Sequence, residues 1–581
     1  MSTYTELPKD DNAKKTEVPP WAAGTEGREK ELSPQLSDEQ IKTVKQYGEV
    51  QHFKADDVIW ETGQRHAGFY LVLNGELDIT AKHGRDEERT IVTHTRGYFG
   101  GETTTMTGSS ALVGGRAKTD LEAVCVSSEE LRRLIALEPE LGETILLSFI
   151  LRRMRMIANN IADVVLIGDM DEKKTEELKV FLTRNGIPHE YYDPQEDESR
   201  VAEILETCDT QSQQFPIVVC NSQPLHNPDP IDVARCLGFT DELDTEAPYD
   251  VVVIGAGPAG LASAVYAASE GLRVAVIEAC APGGQAGSSS KIENYLGFPT
   301  GISGQALAGR AYLQAQKFGA KIAMARRVKK LVCAYPLHCL ELDQDETIRA
   351  RAVVIATGAE YRQPDIENLD TYSGVHYGAS YVEGQMCKNK EIGIIGGGNS
   401  AGQAAIYLSK RAKSVSIFIR SDSLKDSMSD YLIKRINKTD NIEVKANTEI
   451  EHLNGENSID SVEARNNQTD ETQTLPITHL FIFIGAKPGT DFVNQQVEVD
   501  KKGFILTGYD YDTSDEFKQR WPLDREPYLL ETTRPGVFAA GDVRSNSIKR
   551  VASSVGEGSV CVQFIHKLLA QMEEDHELVE N

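Results

Sequence analysis

The stretch that decides the fold reads Val251-Val252-Val253-Ile254-Gly255-Ala256-Gly257-Pro258-Ala259-Gly260. Four apolar residues predict a buried strand, and the glycines open a helix pattern that reaches Glu270 and stops at Gly271. Val274–Ile277 is the next strand and closes on Glu278, 23 residues after the first glycine. A lone G-x-G-x-x-G says little, but on a strand–turn–helix–strand frame it points to a dinucleotide. Gly255 makes the tight turn. Gly257, with Pro258 and Ala259 behind it, lets a pyrophosphate approach the backbone. Gly260 lets helix and strand pack closely. The helix N-terminus favours the anion, and Glu278 is placed to accept ribose hydroxyls.

A second frame begins at Ile392–Ile395 and continues Gly396-Gly397-Gly398-Asn399-Ser400-Ala401. A helix pattern follows to about Arg411, then the strand Val415–Ile419. Arg420 stands where an acid would select NAD, and a base suits a 2′-phosphate, so NADPH is favoured over NADH. Lys425 is a second candidate for that phosphate. A third piece, Arg534-Pro535-Gly536-Val537-Phe538-Ala539-Ala540-Gly541-Asp542, joins Ala356-Thr357-Gly358 after the strand Val353–Ile355.

Around these frames lie 581 residues, enough for about three to five domains. With 40% hydrophobic and 26% charged residues, the chain reads as globular and not as collagen, coiled coil or wholly disordered protein. The net charge of −28 argues against a large nucleic-acid or anionic-membrane surface. No run nears the ~18 apolar residues of a membrane span. The start, MSTYTELPKDDNAKK, has no apolar core and no Arg-rich amphipathic pattern, so no targeting segment is expected. Nine scattered cysteines without a C-x-x-C fit reduced thiols in a cytoplasm. No metal site is expected.

Residues 1–36 are polar and Pro-dotted, and predict a disordered tail, as does the acidic stretch 571–581. Residues 37–160 read as a helix capped by Ser37, short glycine-punctuated strands with a turn at Asn74-Gly75, and a long helix from Glu130 to Met156. This order resembles the cyclic-nucleotide-binding domain, a β-roll. The resemblance implies a pocket at Gly101-Glu102, where the family's Glu accepts the ribose hydroxyl. The family's phosphate-pairing Arg is replaced here by Gly108-Ser109-Ser110, with Arg116 nearby. A roll without nucleotide is the reading the serines favour; a cyclic-nucleotide pocket is the other.

Residues 161–245 read β-α-β-α-(Pro216)-β and resemble the thioredoxin/glutaredoxin fold, where that Pro is cis. The redox cysteines of that fold are replaced by Gly168–Lys173. Cys208, Cys220 and Cys236 remain and are expected to pack in the core.

The three dinucleotide pieces, with APGGQAGSSSKIENYLGFPTGISGQAL at 281–307, resemble the thioredoxin-reductase group of flavoproteins across 249–570. The resemblance implies two Rossmann-like α/β domains: an FAD domain in two parts, 246–362 and 487–570, with an NADPH domain, 363–486, inserted between them. Asp542, beside Gly541, would contact the flavin ribityl chain. Gly283, Gly284, Gln285 and Asn294 map around the isoalloxazine and ADP halves, and Lys549, Arg550 and Val551 beside the flavin ring. It also implies a homodimer. The family's redox C-A-T-C aligns with Gly374-Val375-His376-Tyr377 and Gly378–Tyr381, so the dithiol is missing. No catalytic side chain is assigned; His376, Tyr377 and Cys387 are weak candidates. The expected activity is hydride transfer from NADPH to FAD and on to a protein disulfide, a quinone, an iron–sulfur carrier or oxygen. Two alternatives stay open: a thioredoxin-disulfide reductase using a thiol such as Cys387, and a flavin or nucleotide sensor without rapid turnover.

Overall fold

The computed structural model describes residues 27–65, 67–81, 89–101, 105, 110–158, 164–208, 210, 214–220, 223–289, 291–379, 381–493, 496–510 and 521–580. The chain divides into two compact units. The first holds the described residues up to Asp169 with Phe181–Glu242 and Gln316–Phe318; the second holds Met170–Val180, Leu243–Ala315 and the chain from Gly319 onward.

In the first unit, eight short strands build two four-stranded antiparallel sheets. One is ordered Glu49–Phe53, Leu121–Val126, Phe69–Asn74, Phe99–Gly100, and the other Val58–Trp60, Gly114–Ala117, Leu77–Ala81, Arg89–His94. Apolar residues fill the interior: Phe69, Phe99 and Phe149 meet at centroid distances of 5.1–6.4 Å, and Trp60 stacks on Tyr70 at 5.1 Å. Trp60 covers Gly115, where a Cβ would stand 2.3 Å from its ring. The entry helix Asp38–Val44 carries a capping box from Ser37 and Gln40.

The strands on either side of Asn74-Gly75 lie in different sheets: Phe69, Leu71 and Leu73 face one core, while Tyr70 and Val72 share the other with Leu77 and Ile79. Three expectations are corrected here. The long helix is two, Ser128–Leu137 and Pro139–Ala158, because a proline biases the residue before it out of helix. Of the predicted tail, residues 1–26 lie outside the described residues, and the part that is described forms the helix Glu29–Leu32 and packs, with Leu32 and Leu36 buried and Leu32 O accepting from Ser148 Oγ and Arg152 Nε. At the other end, the helix Val551–Glu580 runs on through the acidic stretch, which holds no Gly or Pro to stop it.

The same unit contains a four-stranded sheet ordered Glu190–Tyr192, Val164–Ile167, Ile217–Cys220, Gln223–His226. The first pair is parallel and the others antiparallel, and the Phe215–Pro216 bond is cis. Cys220 and Cys236 were expected to pack as separate thiols; they are joined as a disulfide.

The second unit is organised by two sheets, the larger mixed, with five parallel strands and an antiparallel pair at one side, and the smaller parallel throughout. The larger runs Lys321–Met324, Val274–Glu278, Tyr249–Ile254, Thr347–Ile355, His338–Leu342, Val328–Val332, and Val537–Ala539 adds to Thr347–Ile355. Its central strands carry continuous Val/Ile/Ala runs, Val251–Ile254, Val274–Ile277 and Ala352–Ile355, buried on both faces, as a sheet covered on both sides requires. The smaller runs Val375–His376, His479–Ile482, Glu391–Ile395, Ser414–Phe418, Ile442–Lys445, all parallel. The chain passes from the first sheet to the second through Ala359–Tyr361 and returns through Ala486–Pro488, and these two segments pair antiparallel.

Candidate dinucleotide sites

At the C-terminal edge of the larger sheet the chain turns sharply after Ile254. Gly255 takes φ 102, and a Cβ on it would stand 2.5 Å from Ala356 O. The helix Pro258–Ser269 starts here with proline in its first turn, where no amide bond is lost. A Cβ on Gly260 would lie 1.9 Å from Gly255 O, whereas one on Gly257 would meet nothing within 4 Å. The space beside Gly255 and Gly260 is therefore filled by protein, and the space over Gly257 is open. Glu278 sits at the next strand end and accepts from the amides of Ala256 (2.7 Å), Cys280 (2.8 Å) and Ala281 (3.2 Å). Gly283 N donates to Ala256 O at 2.7 Å, which ties the 281–287 segment to the turn. Gly284 lies against Gly257, and the Gln285 side-chain amide donates to Ala359 O. Thr357 Oγ1 donates to Gly489 O at 2.8 Å, and Gly358 faces open space.

Gly541 reaches the same edge from the far end of the chain: a Cβ there would be 2.9 Å from Ala259 Cβ. Its amide donates to Glu557 at 2.7 Å, and Glu557 is held by Arg544, which also reaches Thr507 and Asp510. Nothing in the sequence pattern flagged Glu557, Arg544 or Asp510. Asp542 keeps one carboxylate oxygen buried with no hydrogen-bond partner among the described residues. Burial, with Glu557 behind it, raises its carboxyl above the ordinary range. Pro258, Ala259 and Val551 sit in helix first turns, while Asn294, Lys549 and Arg550 are exposed; Lys549 lies over the Phe504 ring at 4.6 Å.

The second frame repeats the first. Gly396 has φ 135, and a Cβ would be 2.4 Å from Phe483 O. Gly398 opens the helix Asn399–Leu408 and faces empty space. Ala401 is buried and Ser400 exposed, and Asn399 Oδ1 accepts from Ser429 N at 2.7 Å. Arg420 projects from the end of the neighbouring strand with its side chain 81% exposed, 3.6 Å from Glu449. Lys425 is exposed a few residues on.

The weak catalytic candidates land elsewhere. His376 is buried, with Nδ1 3.3 Å from the Glu176 carboxylate and Nε2 3.0 Å from His479 Nδ1. Glu176 also accepts from Ser373 Oγ and Gly374 N. Burial, then His376 and Lys390, pushes His479 down to about 3. Tyr377 is partly buried against an apolar cluster, so this pair belongs to a packed interior. Cys387 is fully buried, and burial, then Glu383 and Glu176, raises its thiol far above the ordinary range. It is not a ready thiolate nucleophile. In the roll, Gly101 takes φ 128 and Arg116 Nη1 donates to Asp56 O, while Glu102 and Ser109 lie outside the described residues. Among the described residues, no group of His, Cys, Asp or Glu is arranged to hold a metal ion, and no helix is long and apolar enough to cross a membrane.

Two open glycine cradles, each at the C-terminal end of a parallel strand in its own sheet of one unit, mark the two-dinucleotide α/β class of enzymes. Residues 249–558 match the family described as pyridine nucleotide-disulphide oxidoreductase, and the chain belongs to that family. Residues 50–138 match the cyclic nucleotide-binding domain. The chain is 31% identical over 326 residues to a 34.2 kDa protein in the rubredoxin operon of Clostridium pasteurianum, covering 56% of this chain and 98% of that one. It is 31% identical over 336 residues to the thioredoxin reductase of Debaryomyces hansenii, with 56% and 98% covered. Among solved structures it resembles Lactococcus lactis thioredoxin reductase, at 29% identity and TM-score 0.48, over 56% of this chain and 99% of that one. This is a thioredoxin reductase-like oxidoreductase carrying a cyclic nucleotide-binding domain.

Proposed function

We propose that the chain passes hydride from NADPH to a bound FAD and then to an acceptor other than its own C-x-x-C. The observation that carries this reading is the buried Asp542 oxygen without a partner among the described residues, at the edge where Gly257 leaves space for a ligand. A flavin ribityl hydroxyl is the kind of donor that would satisfy it. On this reading the FAD part is 246–362 with 487–570. Gly255–Gly260 cradle the pyrophosphate, Glu278 takes the adenosine ribose, Asp542 takes the ribityl chain, and Gly283, Gly284 and Gln285 lie around the isoalloxazine and ADP halves. Asn294, Lys549, Arg550 and Val551 stand toward the ring. The NADPH part is 363–486, with Gly396–Ala401 on the pyrophosphate and Arg420 and Lys425 on the 2′-phosphate. The flavin supplies hydride acceptance and release; the protein binds and orients.

The missing dithiol leaves a quinone, an iron–sulfur carrier, oxygen or a partner's disulfide as acceptor. The burial of Cys387 speaks against a relay through that thiol. A cytoplasmic homodimer completes the proposal, and sedimentation at working concentration checks its size.

An anaerobic NADPH titration read at the flavin absorbance band tests the reading. Bleaching at one equivalent is the expected result. A purified protein that binds no flavin, or a bound flavin that NADPH does not bleach, refutes it. Adding oxidised thioredoxin, a quinone or oxygen afterwards identifies the acceptor by which one restores the band.

A further inference from the structure

The Cys220–Cys236 disulfide lies outside both dinucleotide frames. Cys220 ends the strand Ile217–Cys220 and is fully buried; Cys236 is the next-to-last residue of the helix Pro230–Leu237 and is half-buried. Their Cα atoms are 6.5 Å apart, within the span of a bridge.

The same helix end is held from the β-roll. Arg65 donates its guanidinium to Arg235 O at 2.7 Å, and the Ser110 amide donates to Leu237 O at 3.3 Å. Gly238 then ends the helix in the left-handed region at φ 68, where a Cβ would stand 2.7 Å from Ser110 Oγ and 3.1 Å from Arg65 Nε. A cation and an amide thus meet the carbonyl end of the helix, the arrangement its dipole favours. The bridging sulfur belongs to the residue between the two carbonyls that the roll holds.

We propose that Cys220–Cys236 is a reversible redox site, opened by an external dithiol, and that its bonded form fixes the Pro230–Leu237 helix on Arg65 and Ser110 of the β-roll. A thiolate of the dithiol attacks Cys236 Sγ, the more exposed sulfur. The Cys220–Cys236 bond breaks, and Cys220 leaves as a thiolate that takes a proton from water. The second thiol of the reagent then closes the reagent's own disulfide and releases Cys236, which is protonated in turn. Two electrons pass from the dithiol to the protein. The site goes beyond the hydride reading and does not depend on it.

The test uses the full-length protein. Free thiols are alkylated with one reagent, the protein is reduced with dithiothreitol, and new thiols are alkylated with a second, followed by peptide mapping. Cys208, a half-buried cysteine of the same unit that is in no disulfide, is the internal control. Cys236 is expected to carry only the second label and Cys208 the first. Hydrogen exchange is then compared between oxidised and reduced protein, with Cys236→Ser as the permanently open form. Amides at 63–65, 110–113 and 231–238 are expected to exchange about fivefold faster once the bond is absent. The reduced wild-type protein gives the same reading should the variant fail to fold. First-label modification of Cys236, or equal exchange at those segments in both redox states, overturns the proposal.

Discussion

Replacing Gly398 by alanine separates binding from folding. Gly398 has φ −86 and ψ 178, a conformation alanine adopts without strain, and its Cβ would meet nothing within 4 Å. Two small effects on stability oppose each other. Alanine removes unfolded-chain entropy worth roughly 0.4–1 kcal/mol, and it serves worse than glycine at a helix N-cap by a comparable amount. The melting temperature should therefore move by no more than about 2–4 °C. The methyl group projects into the space a pyrophosphate would use to reach the helix N-terminus. Displacing that anion forfeits one charge-assisted hydrogen bond, about 1.5–3 kcal/mol, or roughly a 10- to 100-fold weaker NADPH Kd. Stopped-flow reduction of the flavin under argon, over a range of NADPH concentrations, reads that Kd, and flavin content confirms that the other site is intact. An NADPH Kd within threefold of wild type in a fully flavinated protein would refute the placement of the nucleotide.

Arg420→Ala should lower the preference for NADPH over NADH about tenfold, one charged hydrogen bond's worth, measured as the ratio of kcat/KM values; an unchanged ratio assigns the 2′-phosphate elsewhere. Glu531 is wholly buried and accepts two bonds from Arg525 and one each from the amides of Tyr528 and Gly536. Glu531→Gln leaves the Arg525 charge without its anion and should cost about 3–5 kcal/mol, seen in the denaturant midpoint; a loss below about 1 kcal/mol contradicts it. His479 holds no proton in the fold until pH about 3, whereas the unfolded chain takes one up near 6.5. Its contribution is complete above the unfolded value and falls as pH drops toward the folded one, reaching roughly 2 kcal/mol of loss at pH 5. His479→Gln should flatten the stability profile between pH 7 and 5 by that amount; parallel profiles for the two proteins discount the shift.

What could be read in the sequence follows from how local its cause is. The turns at Gly255 and Gly396 were legible because backbone clearance within a few residues dictates glycine there. The central parallel strands were legible because doubly covered strands show as unbroken apolar runs such as Val251–Ile254. The pairing of Glu176 with His376 was not, since 200 residues separate them and a buried carboxylate has no sequence signature. Cys220 and Cys236 each fit an apolar pattern, and only the fold of strand against helix brings their sulfurs together. Asn74-Gly75 carried a real turn signal, but a turn says nothing of whether its flanks pair with each other or diverge into two sheets.

The ribbon Ala359–Tyr361 with Ala486–Pro488 makes the part of the chain inserted between them a detachable module. Ala359 faces Pro488 and Tyr361 faces Ala486, so the chain exits and re-enters its host at neighbouring points. A turn of two to four residues would reseal the host sheet after excision. A foreign domain whose ends lie one strand spacing apart, about 4.8 Å, could be spliced into the same doorway. Because the two threads of that doorway are hydrogen-bonded to each other, whatever is inserted there enters and leaves on one paired ribbon.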